Sequence, residues 1–211
     1  MNLYFDIETI PLENTKKLYN KEILEHYKEY KDFKEEFNMI YCISVGVNTK
    51  EKWFYTKTFS SEWNLEKEKE VIESFFKIIQ NQEEKKKKIN FIWYNIKWFD
   101  IPFILKRALF HWVKIPNKLK FYNQKPREID YIIDLLEIYK TIWLWNKSVN
   151  LETLTLFLGL TNPKDNKSGV KWSEVAKFVK EWKWKEVEKY CEKDVKACFD
   201  IYNKFVELNI I

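Results

Sequence analysis

The sequence predicts an α/β protein in which a mixed five-stranded sheet is flanked by helices. Two runs of strand-forming residues, MIYCISVGVN and KWFYTKTF, meet at a turn over Asn48–Glu51, and this pattern indicates an antiparallel hairpin. Two later apolar runs are each followed by a helical pattern, as in the crossovers that join parallel strands. Hydrophobic residues make up 45% of the 211 positions, which is enough for the core of a single domain.

No internal repeat and no Gly/Ser-rich or Pro-rich linker interrupts the chain, so we expect one domain over residues 1–211. Its first strand covers residues 2–8 and is ended by Pro11, and a charged segment with spaced apolar positions predicts a helical insertion over residues 13–37. Beyond the hairpin we expect an amphipathic helix over 66–79, then a strand at INFIWYN and a helix at FDIPFILKRALF. A strand continuing into a helix follows at EIDYIIDLLEIY. We then expect short helices over 151–158 and 171–180 and a long last helix over 184–208. This order fits an RNase H-like core, although it is also compatible with other α/β folds.

Composition and cysteine usage narrow the class of protein and the kind of metal site. No apolar run approaches the ~20 residues that a membrane-spanning helix needs, and no signal peptide is visible, so we expect a soluble, cytoplasmic protein that does not bind a membrane. Three scattered cysteines and two histidines form no CxxC pair or His cluster, which disfavours a disulfide framework and a zinc site. Any metal would then be held by oxygen ligands, as Mg²⁺ and Mn²⁺ are, and the formal charge of +5 suits an anionic partner.

Two acids lie one residue apart in the first strand. Side chains alternate along a strand, so Asp6 and Glu8 lie on the same side, whereas Phe5 and Ile7 face the other way. If the strand is central, both of its faces are covered, and the two charges require a bound proton or a cation. The alternative is an edge strand with one face in water, where the acids need no partner.

A third acid interrupts the apolar stripe of the last helix. At about 100° per residue, that stripe consists of Val187, Cys191, Val195, Cys198, Ile201, Tyr202 and Phe205. Asp194 falls inside the stripe, and Tyr190, four residues earlier, lies on the same side at its margin. An acid in this position needs a partner, which would be a cation, a lysine or a backbone group; Tyr190 alone is compatible with an ordinary tyrosine at the core rim.

A fourth acid, Asp100, lies where a strand ends and a helix begins, shortly before Pro102. An aspartate at this position is common as a helix cap. Sites in α/β proteins also form where strands end and helices begin, so the four acids could converge in one cleft. Two divalent cations would balance their charge of about −4 and would suit phosphodiester hydrolysis.

The motifs FDIETIP, NIKWFD and YCEKD resemble, in order and spacing, the three exonuclease motifs of the DEDD superfamily of 3′–5′ exonucleases. The Y-x-x-x-D form of the last motif is typical of the DEDDy branch. The closest resemblance is to the predicted exonucleases related to the proofreading domain of family B DNA polymerases, and it covers residues 1 to about 208. One departure is that Trp93 and Tyr94 stand where the family often has Gly-His, which removes a polar contact near the substrate.

The resemblance implies a catalytic role for five residues. Asp6 would bridge two ions, either Mg²⁺ or Mn²⁺. Glu8 and Asp194 would complete the site of one ion, and Asp100 would serve the other. Tyr190 would orient the attacking water rather than deprotonate it, because a phenol titrates at about pH 10.

The resemblance also implies contacts to the substrate. Asn95 would contact the nucleic-acid end, Thr9 and Ile10 would cradle the terminal nucleotide, and Phe99 would pack behind the adjacent acid, with contact to a base as the less favoured alternative. We expect most of seven tryptophans to pack in the core or at its rim, and Trp98, beside the second motif, to stack on a base. The seven are Trp98, Trp112, Trp143, Trp145, Trp172, Trp182 and Trp184.

These expectations combine into a metal-dependent 3′–5′ exonuclease that releases 5′-mononucleotides from single-stranded ends, with DNA favoured over RNA. Its partner is a single strand with a free 3′ end, and a polymerase or repair protein acting in trans is a candidate second partner. Four alternatives stay open: an RNA-trimming exoribonuclease, an RNase H-like endonuclease, a non-catalytic nucleic-acid-binding module of the same fold, and a protein in which each acid is only a cap or a surface charge.

Overall fold

The computed structural model of the chain describes residues 1–11, 38–48, 53–121, 129–143, 149–162 and 174–211, without the side chain of Trp143. The helical insertion predicted over residues 13–37 lies outside these residues. None of the helices in the described part combines the length and the apolar character that crossing a membrane requires.

The sheet has five strands in the order β3-β2-β1-β4-β5. They are β1 (Asn2–Pro11), β2 (Asn38–Asn48), β3 (Phe54–Ser60), β4 (Asn90–Trp93) and β5 (Ile132–Asp134). β1 pairs with β2, and β2 with β3, in antiparallel orientation, while the β1–β4 and β4–β5 pairs are parallel. The predicted hairpin and mixed five-stranded sheet are confirmed, and β1 is the central strand.

Helices pack on both faces of this sheet. They are α1 (Leu65–Glu84), α2 (Asp100–Phe110), α3 (Leu135–Trp143), α4 (Leu151–Phe157), α5 (Val175–Lys180) and α6 (Trp184–Glu207), with a short 3₁₀ turn at Asn117–Leu119. β5 passes directly into α3, and the long last helix is α6, as the sequence pattern predicts.

β1 separates two layers of side chains. Phe5 packs on Phe75 of α1, with 4.9 Å between ring centroids. Tyr4 points to the opposite face and packs edge-on against Phe199 of α6 at 5.4 Å. Because side chains alternate along a strand, the two acids of β1 share the face of Tyr4 and lie beneath α6.

α6 lies close to the sheet at Gly46 of β2. A Cβ atom at this position would lie 2.7 Å from Cγ1 of Val195 and would also clash with the ring of Phe54. The missing side chain therefore permits the close approach, which brings Asp194, the neighbour of Val195, down towards β1.

β1 is longer than predicted, because it continues past Glu8 before ending at Pro11. Its register with β2 shifts between Glu8 and Thr9, where β2 contributes Tyr41 as an extra residue. Such a bulge bends a strand and redirects the side chains beyond it, and bulges are frequent next to active sites. The pairing then resumes and carries the strand to Pro11.

A buried ion pair ties α1 to α2. The carboxylate of Glu68 is fully buried and accepts hydrogen bonds from Arg107 at 2.8 Å from Nε and 2.6 Å from Nη2. Nε2 of His111 lies 2.7 Å from the same carboxylate, and the backbone N–H of Ile40 donates to it at 2.7 Å. The pair therefore fixes α2, which begins at Asp100, against α1 and β2. The sequence pattern predicts the helix around Glu68 but does not mark this acid as buried.

Five of the described helices end next to a residue in the left-handed conformation, and only one of these residues is glycine. The positions are Lys86, Trp112, Gly159, Trp182 and Asn209. At the end of α2, for example, the N–H groups of Trp112 and Val113 donate back to the carbonyls of Leu109 and Ala108 at 3.1 and 2.9 Å. Glycine is usual at this position because residues with a Cβ atom are strained there. The chain has three glycines, so bulkier residues fill most of these helix ends.

Replacing Trp112 by glycine is expected to raise the free energy of unfolding by about 1 kcal/mol. Trp112 is 94% exposed and has a φ of 55°, so the change loses little packing and relieves a left-handed conformation. Equilibrium unfolding in urea measures the difference. Trp112→Ala is the control, because it removes the same indole but keeps a Cβ atom and the strain. Equal stabilisation by alanine would contradict the conformational explanation.

Candidate active site

The five side chains predicted to act in catalysis surround one cavity. Asp6 and Glu8 reach it from β1, Asp100 from the first residue of α2, and Tyr190 and Asp194 from α6. The cavity has a volume of about 280 Å³. Residues from both ends of the chain meet here because α6 packs over the central strand.

All four acids are buried. Asp6, Glu8, Asp100 and Asp194 are 7%, 2%, 2% and 8% exposed. Four carboxylates removed from water in one place cannot all stay ionised without compensating positive charge. The edge-strand alternative does not fit, because β1 is central, and the cap position of α2 is Phe99, which makes no side-chain capping hydrogen bond.

The pKa values of Asp6 and Asp100 reflect this crowding. Burial raises the pKa of Asp6 well above its ordinary value of 3.8, and the Cys191 thiol and the other three acids raise it further. Burial also raises the pKa of Asp100, and the charge of Asp134 adds to the effect, while backbone hydrogen bonds from its own N–H and that of Ile7 offset part of it. A cation among the acids would remove the repulsion that raises both pKa values.

The available ligand atoms fit a hard divalent cation. Oδ1 of Asp100 is buried with no hydrogen-bond partner among the described residues, which leaves it available to a metal ion. One potential ligand atom from each of Asp6, Glu8 and Cys191 lies within 4.8 Å of the other two. Burial raises the pKa of the Cys191 thiol well above 9.0, so it remains a weakly ligating thiol, and its Sγ donates instead to the carbonyl of Asp6 at 3.5 Å. Carboxylate oxygen therefore dominates the site, as Mg²⁺ and Mn²⁺ prefer. The sequence pattern assigned Cys191 to the apolar stripe of the last helix and did not indicate its position beside Asp6 and Glu8.

Tyr190 lies at the cavity wall and is 3% exposed, whereas the helical pattern placed it at the margin of the apolar stripe. Burial raises its pKa far above the ordinary value of 10.0, and the charges of Asp194, Glu8 and Asp6 and a hydrogen bond to Asp194 raise it further. The side chain therefore stays a neutral phenol, which can donate a hydrogen bond but cannot serve as a general base.

The loop between β4 and α2 is held by another buried acid, Asp134. Its Oδ1 accepts hydrogen bonds from the N–H groups of Asn95 at 2.9 Å and Leu136 at 3.0 Å, and its Oδ2 accepts from Lys97 N–H at 3.3 Å. Asp134 thus accepts a hydrogen bond from the first turn of α3 and also holds the loop leading to Asp100. This loop contains Asn95, whose backbone is left-handed with a φ of 66°. Sequence reasoning missed it, although an acid closing an apolar strand ahead of a helix is the same signal that identified Asp100.

The predicted substrate contacts of the second motif lie in and beside the cavity. Asn95 and Phe99 line it, and Phe99 also packs on Phe103 with 5.8 Å between ring centroids. Trp98 lies outside the lining, is 60% exposed, and donates its indole N–H to Glu137 at 3.2 Å. Its ring is therefore accessible to solvent and lies outside the cavity lining.

Thr9 and Ile10 lie further along β1 and do not line the cavity. Ile10 is 2% exposed and packs in a cluster with Met39, Tyr41 and Val175. Contact between Ile10 and a terminal nucleotide would therefore have to come from its backbone.

Trp93 and Tyr94, which stand where the resembling family often has Gly-His, form part of the cavity wall. Trp93 is 4% exposed, and the hydroxyl of Tyr94 donates to the carbonyl of Val149 ahead of α4. Burial holds Trp93 and the hydrogen bond holds Tyr94, so both contribute to a fixed part of the cavity wall. The hydroxyl of Tyr94 is bonded to Val149, so it does not replace the missing polar contact.

The tryptophans are more exposed than predicted. Among the seven considered, the side chains of Trp143, Trp145 and Trp172 lie outside the described part of the chain. Of the remaining four, Trp98, Trp112 and Trp182 are 60%, 94% and 78% exposed, and Trp184 is half-buried. The expectation of packing in the core or at its rim is wrong for Trp112 and Trp182, whereas the exposure of Trp98 is compatible with the stacking role predicted for it.

Comparison with known proteins places the chain in a family. The family described as predicted 3′–5′ exonuclease related to the exonuclease domain of PolB matches residues 31–209. The solved structure of the family B DNA polymerase from the hyperthermophilic archaeon Pyrobaculum calidifontis is similar, with a TM-score of 0.64 and 16% identity. That match covers 99% of this chain and 25% of the polymerase chain, and it agrees with the predicted RNase H-like fold. No curated protein matches. The chain therefore belongs to the family of predicted 3′–5′ exonucleases related to the exonuclease domain of PolB.

Proposed function

We propose that this protein is a metal-dependent DEDDy-type 3′–5′ exonuclease that acts on single-stranded nucleic acid, with DNA favoured, and releases 5′-mononucleotides. The observation that carries the proposal is the meeting of Asp6, Glu8, Asp100, Tyr190 and Asp194 around one cavity. The residues come from a strand, a helix start and a long helix, and burying four acids together costs stability unless cations compensate their charge. A module that only binds nucleic acid would gain nothing from four buried acids facing phosphate.

The size of the cavity favours attack at a chain end. Its volume of about 280 Å³ lies just below the roughly 300–1,000 Å³ common for ligand pockets. A space of this size would admit one terminal nucleotide. An endonuclease would instead need an open groove through which both sides of the cut strand can pass.

Asp6, Glu8, Asp100 and Asp194 would hold two divalent cations, Mg²⁺ or Mn²⁺, whose charge would balance the four carboxylates. When bound, these cations would supply the Lewis acidity and the charge stabilisation that phosphodiester hydrolysis requires. Tyr190 would donate a hydrogen bond that orients the attacking water. Its raised pKa supports this role and disfavours proton removal by the phenol.

The remaining residues would position the strand end. Asp134 holds the loop that carries Asn95, so the Asn95 side chain would meet the terminal nucleotide from a fixed backbone. Phe99, packed on Phe103, would form one apolar wall. The ring of Trp98 lies outside the cavity lining, where it would stack on a base before the terminal one.

Digestion of matched single-stranded DNA and RNA, labelled at the 5′ end, tests the proposal. With Mg²⁺ or Mn²⁺ we expect a ladder that shortens one nucleotide at a time, and EDTA should abolish it. A strand blocked at its 3′ end and a closed circular strand should both stay intact. Cleavage of the circle would identify an endonuclease, and faster digestion of RNA would overturn the preference for DNA.

A further inference from the structure

The turn between α5 and α6 exposes a surface that is both aromatic and basic. The stretch KFVKEWKWK over residues 177–185 interleaves lysines with aromatic residues, and Trp182 within it is 78% exposed. Six residues form this surface, termed the Trp182 surface: Lys177, Lys180, Trp182, Lys183, Trp184 and Lys185. All of these are exposed except Trp184, which is half-buried. Nothing in the catalytic site described above uses this surface.

The two indoles of the Trp182 surface are held in a fixed arrangement. The rings of Trp182 and Trp184 lie 5.0 Å apart between centroids at an angle of 34°. The indole N–H of Trp184 donates to the carbonyl of Val179 at 3.1 Å, and the ring packs against a buried cluster that contains Val187 and Tyr190. A ring already held in place loses little further freedom when a base stacks on it.

Trp182 contributes little to the fold. Most of its ring faces solvent, and its backbone occupies the left-handed conformation, with a φ of 60°, where glycine would be less strained. The position therefore presents a large aromatic face at some cost in stability. Such a face is useful where a base can stack on it.

The charge of the surface favours a polyanion. Four lysines and two glutamates lie between residues 177 and 186. Glu181 pairs with Lys183 at 2.7 Å and with Lys177 at 4.0 Å, and all three side chains are exposed. Exposed ion pairs are weak, so phosphate groups can replace Glu181 as the partner of these lysines. The combination of lysine and indole suits a strand of nucleotides better than an apolar protein face.

Helix α6 connects the surface to the cavity. Trp184 is its first residue, and Tyr190, in the cavity wall, comes six residues later, which is about 9 Å along a helix axis. A strand whose 3′ end lies in the cavity therefore has its next few nucleotides within reach of the Trp182 surface.

We infer that the Trp182 surface binds the single-stranded nucleic acid upstream of its 3′ end, with a base stacked on Trp182 and phosphates on the neighbouring lysines. The inference rests on the proposed function, in that it takes the 3′ end to lie in the cavity. It adds a second contact that lengthens the binding site beyond the terminal nucleotide.

Fluorescence anisotropy in EDTA, with 5′-labelled oligothymidylates from a dinucleotide up to about 12 nucleotides, tests the inference. Trp182→Gly should raise the Kd of the longest strand about tenfold. This loss of affinity should become smaller with strands too short to span both the cavity and the Trp182 surface. Trp182→Phe should restore most of the affinity. Lys185→Ala should lower the salt slope of log Kd by about 0.7.

Trp112→Gly is the matched control, because it removes another largely exposed indole from an equivalent left-handed helix end. It should leave the Kd unchanged at every length. An unchanged Kd in Trp182→Gly, or an equal loss in both variants, would overturn the inference. If Trp182→Gly instead abolished self-association without affecting strand binding, the surface would be a contact between copies of the chain. Binding that depends on Trp182 without any cleavage would support the surface while refuting the proposed function.

Discussion

Replacing Asp194 by asparagine should lower the rate of strand cleavage about a thousandfold or more, because it removes several kcal/mol of charge stabilisation from the site. Asp194 is 8% exposed, contributes to the acidic wall of the cavity and lies over the central strand. The side chain keeps its shape in the variant, so the loss would come from charge and ligation. Single-turnover digestion of a 5′-labelled strand in Mg²⁺ measures the change.

Asp200→Asn is the matched control for this prediction. Asp200 lies on the same helix, is part-exposed, and is bonded to Lys196 at 2.5 Å and 2.6 Å. A surface pair of this kind contributes little, so cleavage should continue at the wild-type rate. Equal activity in the Asp194 and Asp200 variants would mean that the acid on α6 is only structural.

The same Asp194 variant should be more stable than the wild type when metal is removed. Folding raises the pKa of Asp6, so the protonated Asp6 side chain stabilises the fold. This contribution is fully present below pH 3.8, the ordinary pKa of an aspartate, and is lost as the pH rises through the raised pKa. Asp194→Asn removes one cause of that rise, so its advantage in EDTA should grow from acidic to mildly alkaline buffer. Added Mg²⁺ should stabilise the wild type and reduce the difference.

Replacing Arg107 by alanine should destabilise the fold by about 3–5 kcal/mol, because it leaves the charge of Glu68 buried without its main partner. Arg107 is 1% exposed and donates two hydrogen bonds to Glu68, which is fully buried. Urea unfolding measures the loss. Lys106→Ala removes a positive charge from the adjacent exposed position and should change stability by less than about 0.5 kcal/mol. A similar small change in Arg107→Ala would show that His111 and Ile40 suffice to hold Glu68.

The pH dependence of this pair has the opposite sign from that of Asp6. Burial alone would raise the pKa of Glu68, but hydrogen bonds from Arg107 and His111, together with the charge of Arg107, hold it below its ordinary value of 4.5. The contribution of the pair is therefore present above pH 4.5 and is lost as the pH falls through the lowered pKa. Acid unfolding should begin at a higher pH in Arg107→Ala than in the wild type.

The acids of the site could be recognised from the sequence because each breaks a regular pattern. Asp6 and Glu8 interrupt an apolar strand, and Asp194 interrupts an apolar helix stripe. Asp134 and Glu68 escaped notice for a physical reason. Asp134 closes an apolar strand ahead of a helix, as Asp100 nearly does, but an acid at that position is commonly only a cap. Glu68 lies in a helix rich in exposed acids, so only tertiary packing reveals its burial.

Strand and helix order could also be predicted, since the hairpin and the strand-to-helix passages have clear periodic signals. The full length of β1 could not, because the bulge at Tyr41 of β2 shifts the register and lets pairing continue to Pro11. The exposure of Trp112 and Trp182 could not be predicted from the sequence either. Both occupy left-handed helix ends where glycine is the usual residue, and hydrophobicity alone would place them inside.

Anomalous diffraction from crystals soaked in Mn²⁺ is the most direct test of the proposed cation site. We expect two anomalous peaks about 3.5–4 Å apart in the cavity, with a carboxylate of Asp6 bound to both. Crystals of the Asp194→Asn variant should lose at least one peak. Absence of any peak within ligand distance of Asp6, from protein that cleaves strands in the same Mn²⁺ solution, would contradict a nuclease centre built from these acids.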